Sequence, residues 1–197
     1  MKKLLVLFCA SLMLTTPAFA DEGKGYQDKV KYGVRYDDSS VSSKDQMNVR
    51  IDLDREWDNG FKLGYGSRSN HRFEGDRNTQ RHMVRIGQEF GNFVVNGQVG
   101  IKLPHGKDHS YFWTVQPGYK FKLTKDLQLR LSYDYREGFS GNGKSAKEND
   151  YRHGPRMRLK HKVKWSFADA VELHIDHLNF KDGESRNRVA LVFEKKL

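Results

Sequence analysis

Residues 155–167, "PRMRLKHKVKWSF", set a cation at every second position: Arg156, Arg158, Lys160, Lys162 and Lys164. The alternate positions are Met157, Leu159, His161, Val163 and Trp165, and Phe167 follows. On an extended strand successive side chains point to opposite faces. One short ribbon would thus carry a cationic wall and a largely apolar wall. A row of guanidinium and ammonium groups attracts carboxylates or phosphates, and arginine adds a planar fork that grips a carboxylate with two hydrogen bonds. Other residue types capable of chemistry are less ordered. His71, His82, His105, His109 and His153 lie in or beside polar segments. Asp108, His109 and Ser110 have the types of a hydrolytic triad, but three adjacent residues on one loop do not make its geometry. His105 and His109 lack a third metal ligand at evident spacing, and the glycines are scattered, so neither a metal nor a nucleotide cofactor is expected.

The elements that would position the cations follow from the same period of two. No segment sustains a helical period, whereas ten segments alternate apolar and polar residues as half-buried strands do. Their apolar sets begin with Val30/Tyr32/Val34/Tyr36, Met47/Val49/Ile51/Leu53/Trp57, Phe61/Leu63/Tyr65 and Val84/Ile86/Phe90. Phe93/Val95/Val99/Ile101/Leu103, Trp113/Val115/Tyr119/Phe121/Leu123 and Leu127/Leu129/Leu131/Tyr133/Tyr135 follow. Met157/Leu159/Val163/Trp165/Phe167, Val171/Leu173/Ile175 and Val189/Leu191/Phe193 complete the series. Tight turns at 58–60, 91–92, 124–126 and 168–170 alternate with longer polar loops at 37–46, 69–80, 104–110, 138–155 and 181–187. Short turns on one rim and long loops on the other, with aromatic residues near strand ends, describe an outer-membrane barrel. The expected fold is all-β, an antiparallel transmembrane β-barrel of ten strands spanning 21–197.

The leading residues agree with that compartment. Lys2 and Lys3 precede an apolar run from Leu4 to Leu14, and Ala18 and Ala20 form a small-x-small site before Asp21. This pattern predicts a cleaved signal peptide over 1–20. Cys9 lies within it, so the mature chain would be exported without disulfides. Removing two lysines and no acid from a chain of net charge +10 leaves a charge of about +8. Export makes nucleic acid a poor partner for that charge and anionic solutes a better one. Outer-membrane lipid and lipopolysaccharide phosphates are further expected partners, the latter at Arg72, Arg77, Lys144 and Arg152.

With the apolar set facing lipid, the alternate residues face the lumen. The reverse would place cations in hydrocarbon at a cost of roughly 2–4 kcal/mol each near the midplane. The predicted inner wall therefore includes Arg35, Arg50, Arg68, Arg85, Arg130, Arg136, Arg156, Arg158, Lys160, Lys162, Lys164 and Arg188. Asp52, Asp54, Glu56, Glu89, Asp134, Glu172 and Asp176 face them. The cations outnumber these acids, and 156–164 contains no acid, so an uncompensated anion-attracting wall is expected.

Residues 30–69, "VKYGVRYDDSSVSSKDQMNVRIDLDREWDNGFKLGYGSRS", resemble the first hairpins of the oligogalacturonate-specific porin family, which includes a porin for sialic-acid oligosaccharides. "WTVQPGYKFKLTKDLQLRLSYDYREGF" (113–139) and "ESRNRVALVFEKKL" (184–197) are similar to its middle and end. The resemblance implies a monomeric channel that passes acidic oligosaccharides by passive diffusion. It also implies pore-lining roles for Arg35, Arg50, Arg68, Arg85, Arg130 and Arg136. The family pattern has twelve strands, two more than the ten read here.

Three other readings stand beside this one: a soluble barrel or sandwich with its apolar faces inward, an outer-membrane barrel enzyme acting on lipid A or peptides, and a structural barrel plugged by its own ion pairs. On the channel reading, replacing Arg156, Arg158 and Lys160 together with Gln is expected to reduce anion selectivity and leave the barrel folded.

Overall fold

Alternation over ten segments closes into one sheet. The computed structural model describes residues 25–40, 45–73, 78–105, 109–141, 151–181 and 183–197, so the expected signal peptide lies outside the described residues. The strands are β1 (Tyr26–Ser39), β2 (Gln46–Trp57), β3 (Phe61–Arg72), β4 (Thr79–Phe90) and β5 (Phe93–Pro104). They continue as β6 (Ser110–Lys122), β7 (Leu127–Gly141), β8 (Arg152–Lys162), β9 (Ala170–Phe180) and β10 (Ser185–Lys196). Each pairs antiparallel with its sequence neighbours, and β1 pairs with β10 to close the barrel. With strands of 11 to 15 residues, each reaches the ~9–11 a tilted strand needs to cross a bilayer.

Short connections and both ends of the sheet share one rim. Gly60 (φ 82°) and Gly91 (φ 62°) take the left-handed conformations that tight hairpins demand. Asp58 N donates to Gly25 O and Leu197 N to Asp28 O, which ties both ends of the barrel to this rim.

The distribution of polarity is inverted relative to a water-soluble barrel. Outward residues such as Val49, Leu63, Val84, Val99, Leu131 and Ile175 are exposed, Val84 at 56%. Inward residues such as Asp52, Asp134, Arg136 and Arg188 are buried, the arginines at 1–2%. A soluble barrel would bury the first set and hydrate the second. Lipid around the barrel removes the contradiction, and the outward aromatic pairs Trp57–Phe61, Tyr119–Phe121 and Trp165–Phe167 sit near the short-turn rim, where an interfacial girdle belongs.

Several boundaries differ from expectation. The strands run further into the long connections, so Asp37 ends up on β1 and Arg152 and Pro155 on β8. The expected ribbon 156–167 instead stops at Lys162. Val163 N donates to Asp169 O and Trp165 N to Ala168 O, which folds 163–169 into a rim turn. Lys164 is exposed in that turn, and Lys162 is exposed at the strand end, so neither lines the interior.

Two prolines interrupt the ladder. Pro117 leaves β6 unpaired with β7 opposite 133–134, and Pro155 leaves β8 unpaired with β9 opposite 177–178. Proline has no N–H to donate, and a closed barrel offers no edge on which to hide it. Gly154, with φ 156°, lies within the second interruption, and a Cβ there would lie 2.0 Å from His177 O.

Val84, midway along β4, tests the orientation of the wall. Val84→Arg is expected to lower folding stability in lipid bilayers by about 2–4 kcal/mol, while Val84→Leu leaves it nearly unchanged. Urea titration of protein refolded into vesicles measures both. Equal stability would place this face in water.

Candidate functional site: the barrel lumen

Every inward side chain of a ten-stranded barrel competes for a narrow space. Eight-stranded barrels are just wide enough for side chains to fill them, and the long arginines and lysines here nearly do so. Three levels result.

At the short-turn end the pairs are lysine with glutamate. Glu56 accepts from Lys29 (2.5 Å) and Lys62 (2.7 Å), and Glu89 accepts from Lys62 and Lys120. Lys31 bridges Glu172 and Glu194 at 2.9 Å each, and Lys160 donates to Glu194 at 2.7 Å. His174 Nε2 lies 2.7 Å from Glu172 Oε2.

At the long-loop end the pairs are chiefly arginine with aspartate. Asp37 on β1 accepts from Arg35 and from Gln46, and Arg188 lies 3.2 Å away. Asp134 on β7 accepts from Arg152 (2.8 Å), Arg156 (3.1 Å) and Gln116, and Arg156 reaches Asp176 at 2.8 Å. Arg136 donates to Thr114 Oγ1 at 2.9 Å and stacks over Phe112 at 3.8 Å. Arg186 pairs with Glu184.

The middle level differs. Asp52 accepts from Arg50 and from Arg85 (2.8 Å), and Arg85 also reaches Asp54. Arg68, Arg130 and Arg158, by contrast, have no carboxylate within ion-pair distance among the described residues. Arg158 donates only to Gln116 Oε1, at 3.5 Å, and Asn96 offers its amide to Arg130 once the amide is oriented to suit. These three face a cavity of about 110 Å³ on the barrel axis, lined also by Lys31, Arg50, Arg85 and Gln98.

The expected site residues therefore divide. Arg35, Arg50, Arg85, Arg156, Lys160 and Arg188 point inward but are held by acids, and Arg136 by Thr114 and Phe112. Arg68, Arg130 and Arg158 point inward without a carboxylate. Lys162 and Lys164 fall at the rim. The uncompensated wall over 156–164 is corrected accordingly: its acids come from β7, β9 and β10. The joint replacement of Arg156, Arg158 and Lys160 also mixes unlike cases, because losing Arg156 takes from Asp176 its ion-pair partner and from Asp134 one of its two arginines.

Residues missed at first are Asp37, Glu184, Glu194, Arg152 and Arg186, all buried inside. Continuing each strand's alternation two or four residues further would have found Asp37, Glu194 and Arg152. Arg152, expected to meet lipopolysaccharide, instead binds Asp134, and Arg77 and Lys144 lie outside the described residues. Of the histidines, His82 lies 2.7 Å from Tyr65 Oη and His153 2.6 Å from Tyr133 Oη, on the outer wall and on different strands. His71 contacts Ser69 and His109 packs against Tyr111, while Asp108 lies outside the described residues.

Removing one partner of a buried ion cluster leaves an uncompensated charge and costs about 3–5 kcal/mol. Asp134→Asn is expected to lose stability on that scale, while Arg158→Gln loses none. Urea midpoints of the two refolded variants give the comparison.

No family model matches the chain, and no curated protein matches it. Among solved structures, a KdgM porin is 14% identical over 85% of this chain and 98% of its own, with a TM-score of 0.42. The translocator domain of autotransporter NalP from Neisseria meningitidis is 11% identical over 96% and 95%, with a TM-score of 0.48. A Rhodopseudomonas blastica porin is 8% identical over 86% and 99%, with a TM-score of 0.22. At these identities the likeness concerns barrel architecture alone.

Proposed function

We propose that the chain is a monomeric outer-membrane channel that admits acidic solutes to a basic lumen, with uronate-type oligosaccharides as its substrate class. The observation that carries this reading is the set Arg68, Arg130 and Arg158, which line the axial cavity and, among the described residues, make no ion pair with a carboxylate. Around them the outer wall suits lipid and the inner wall suits ions. The export signal expected at 1–20, the positive net charge and the resemblance of the first hairpins support the same reading. Its activity is passage rather than catalysis. A solute carboxylate would exchange between guanidinium forks by weak, repeated contacts, since tight binding at one point would stop transport.

The cavity is far smaller than the ~300–1,000 Å³ of sites that hold drug-sized molecules. An oligosaccharide therefore passes only after the arginine–aspartate pairs at the long-loop end part. Those pairs favour a second reading, a barrel permanently closed by its own side chains.

Planar-bilayer recording separates the two. The channel reading expects discrete current steps whose reversal potential under a salt gradient follows the anion, and flickering block by trigalacturonate. Joint replacement of Arg68, Arg130 and Arg158 with Gln is expected to move the reversal potential toward zero. Folded protein that gives no steps under any salt would leave the closed barrel.

A further inference from the structure

We infer that the mid-barrel cavity is a binding site for one small oxyanion of the sulfate or phosphate type. This rests on the proposed anion-admitting lumen, but not on conduction.

The register creates the need for such an ion. Arg50 lies directly opposite Arg68 across β2 and β3, and Arg130 directly opposite Arg158 across β7 and β8. Like charges in directly opposed positions repel. Asp52 pairs with Arg50, but Arg68, Arg130 and Arg158 make no ion pair with a carboxylate among the described residues, the acids nearest them being held by other cations. Arginine cannot discharge by losing its proton, so three lumen cations, Arg68 buried and Arg130 and Arg158 half-buried, stand without a contacting carboxylate among the described residues, a costly arrangement in a low-dielectric interior.

The donors are also unused. The Nε atoms of Arg68, Arg130 and Arg158 are buried and have no acceptor. Arg130 and Arg158 come from the adjacent strands β7 and β8 and Arg68 from β3 across the barrel, so the donors approach the axis from two sides. An acceptor with oxygens in several directions satisfies them better than a single spherical ion, and each guanidinium edge suits a pair of such oxygens. The two acids on the cavity wall do not oppose an anion: Asp54 is held by Arg85, and Glu172 by Lys31 and His174. A volume of about 110 Å³ accepts a small ion and excludes a sugar chain.

The test measures thermal unfolding of the full chain, folded in detergent, with sodium sulfate or sodium phosphate titrated against sodium chloride at constant ionic strength. A ligand that binds only the folded state raises the midpoint in a saturable way. Saturable stabilisation by sulfate or phosphate beyond chloride is expected. Arg158→Gln and Arg130→Gln are each expected to weaken the apparent affinity roughly tenfold. Both are also expected to unfold at a higher temperature than wild type when no oxyanion is present, because each removes a repelling charge. Arg55→Gln, on the outer surface, is expected to keep the full response.

Equal shifts with sulfate and chloride would mean screening only and would overturn the site. So would a sulfate response that survives both lumen substitutions. Stabilisation by monomeric galacturonate with none by sulfate or phosphate would overturn it in favour of a solute carboxylate. Oxyanion stabilisation without conductance keeps the site and removes the channel, and conductance without oxyanion stabilisation does the reverse.

Discussion

Lipid offers no hydrogen bonds, so a sheet surrounded by it must satisfy its own backbone donors and acceptors, and closure is the way a sheet does so. In this chain β1 meets β10, and the other features follow from that closure. Ten strands set a narrow interior. Alternation then commits every second residue to it, and many of the residues committed are charged. Charge cannot be buried unpaired without large cost, so the lumen organises itself as ion pairs. The level that escapes full pairing becomes the place where an outside ion has most to offer.

The pairs change character along the axis. Near the short turns lysine meets glutamate, two long chains with many rotamers. Toward the long loops arginine meets aspartate, where a planar fork meets a short, stiff carboxylate. The first arrangement tolerates variation in spacing, whereas the second fixes it. One end of the lumen is thus adaptable and the other geometrically specified, within a wall of uniform backbone structure.

Much of this was legible in the amino-acid order. A period of two identified ten strands and sorted lipid-facing from lumen-facing residues, and Arg35, Arg50, Arg68, Arg85, Arg130, Arg136, Arg156, Arg158, Lys160 and Arg188 all point inward. What could not be read was who stands opposite whom. Arg156 has no acid near it in sequence, yet it binds Asp134, 22 residues earlier, and Asp176, 20 later. Register sets that pairing, and register depends on turn lengths that alternation does not encode. The same ignorance placed Lys164 on a strand: a charged residue in a rim turn keeps the period of the strand before it, so periodicity alone overshoots the end of β8.

The prolines give the barrel wall an uneven stiffness. Pro117 removes ladder bonds between β6 and β7 beside Tyr133 and Asp134, and Pro155 removes them one strand further on, between β8 and β9, while β7 and β8 stay paired at this height. At that height the backbone resists bending less than elsewhere, and the burden passes to side chains. Asp134 carries it, gripping Gln116 on one flanking strand and Arg152 and Arg156 on the other. The continuity of the wall at that height and the ionic state of the interior therefore meet in one side chain, the carboxylate of Asp134.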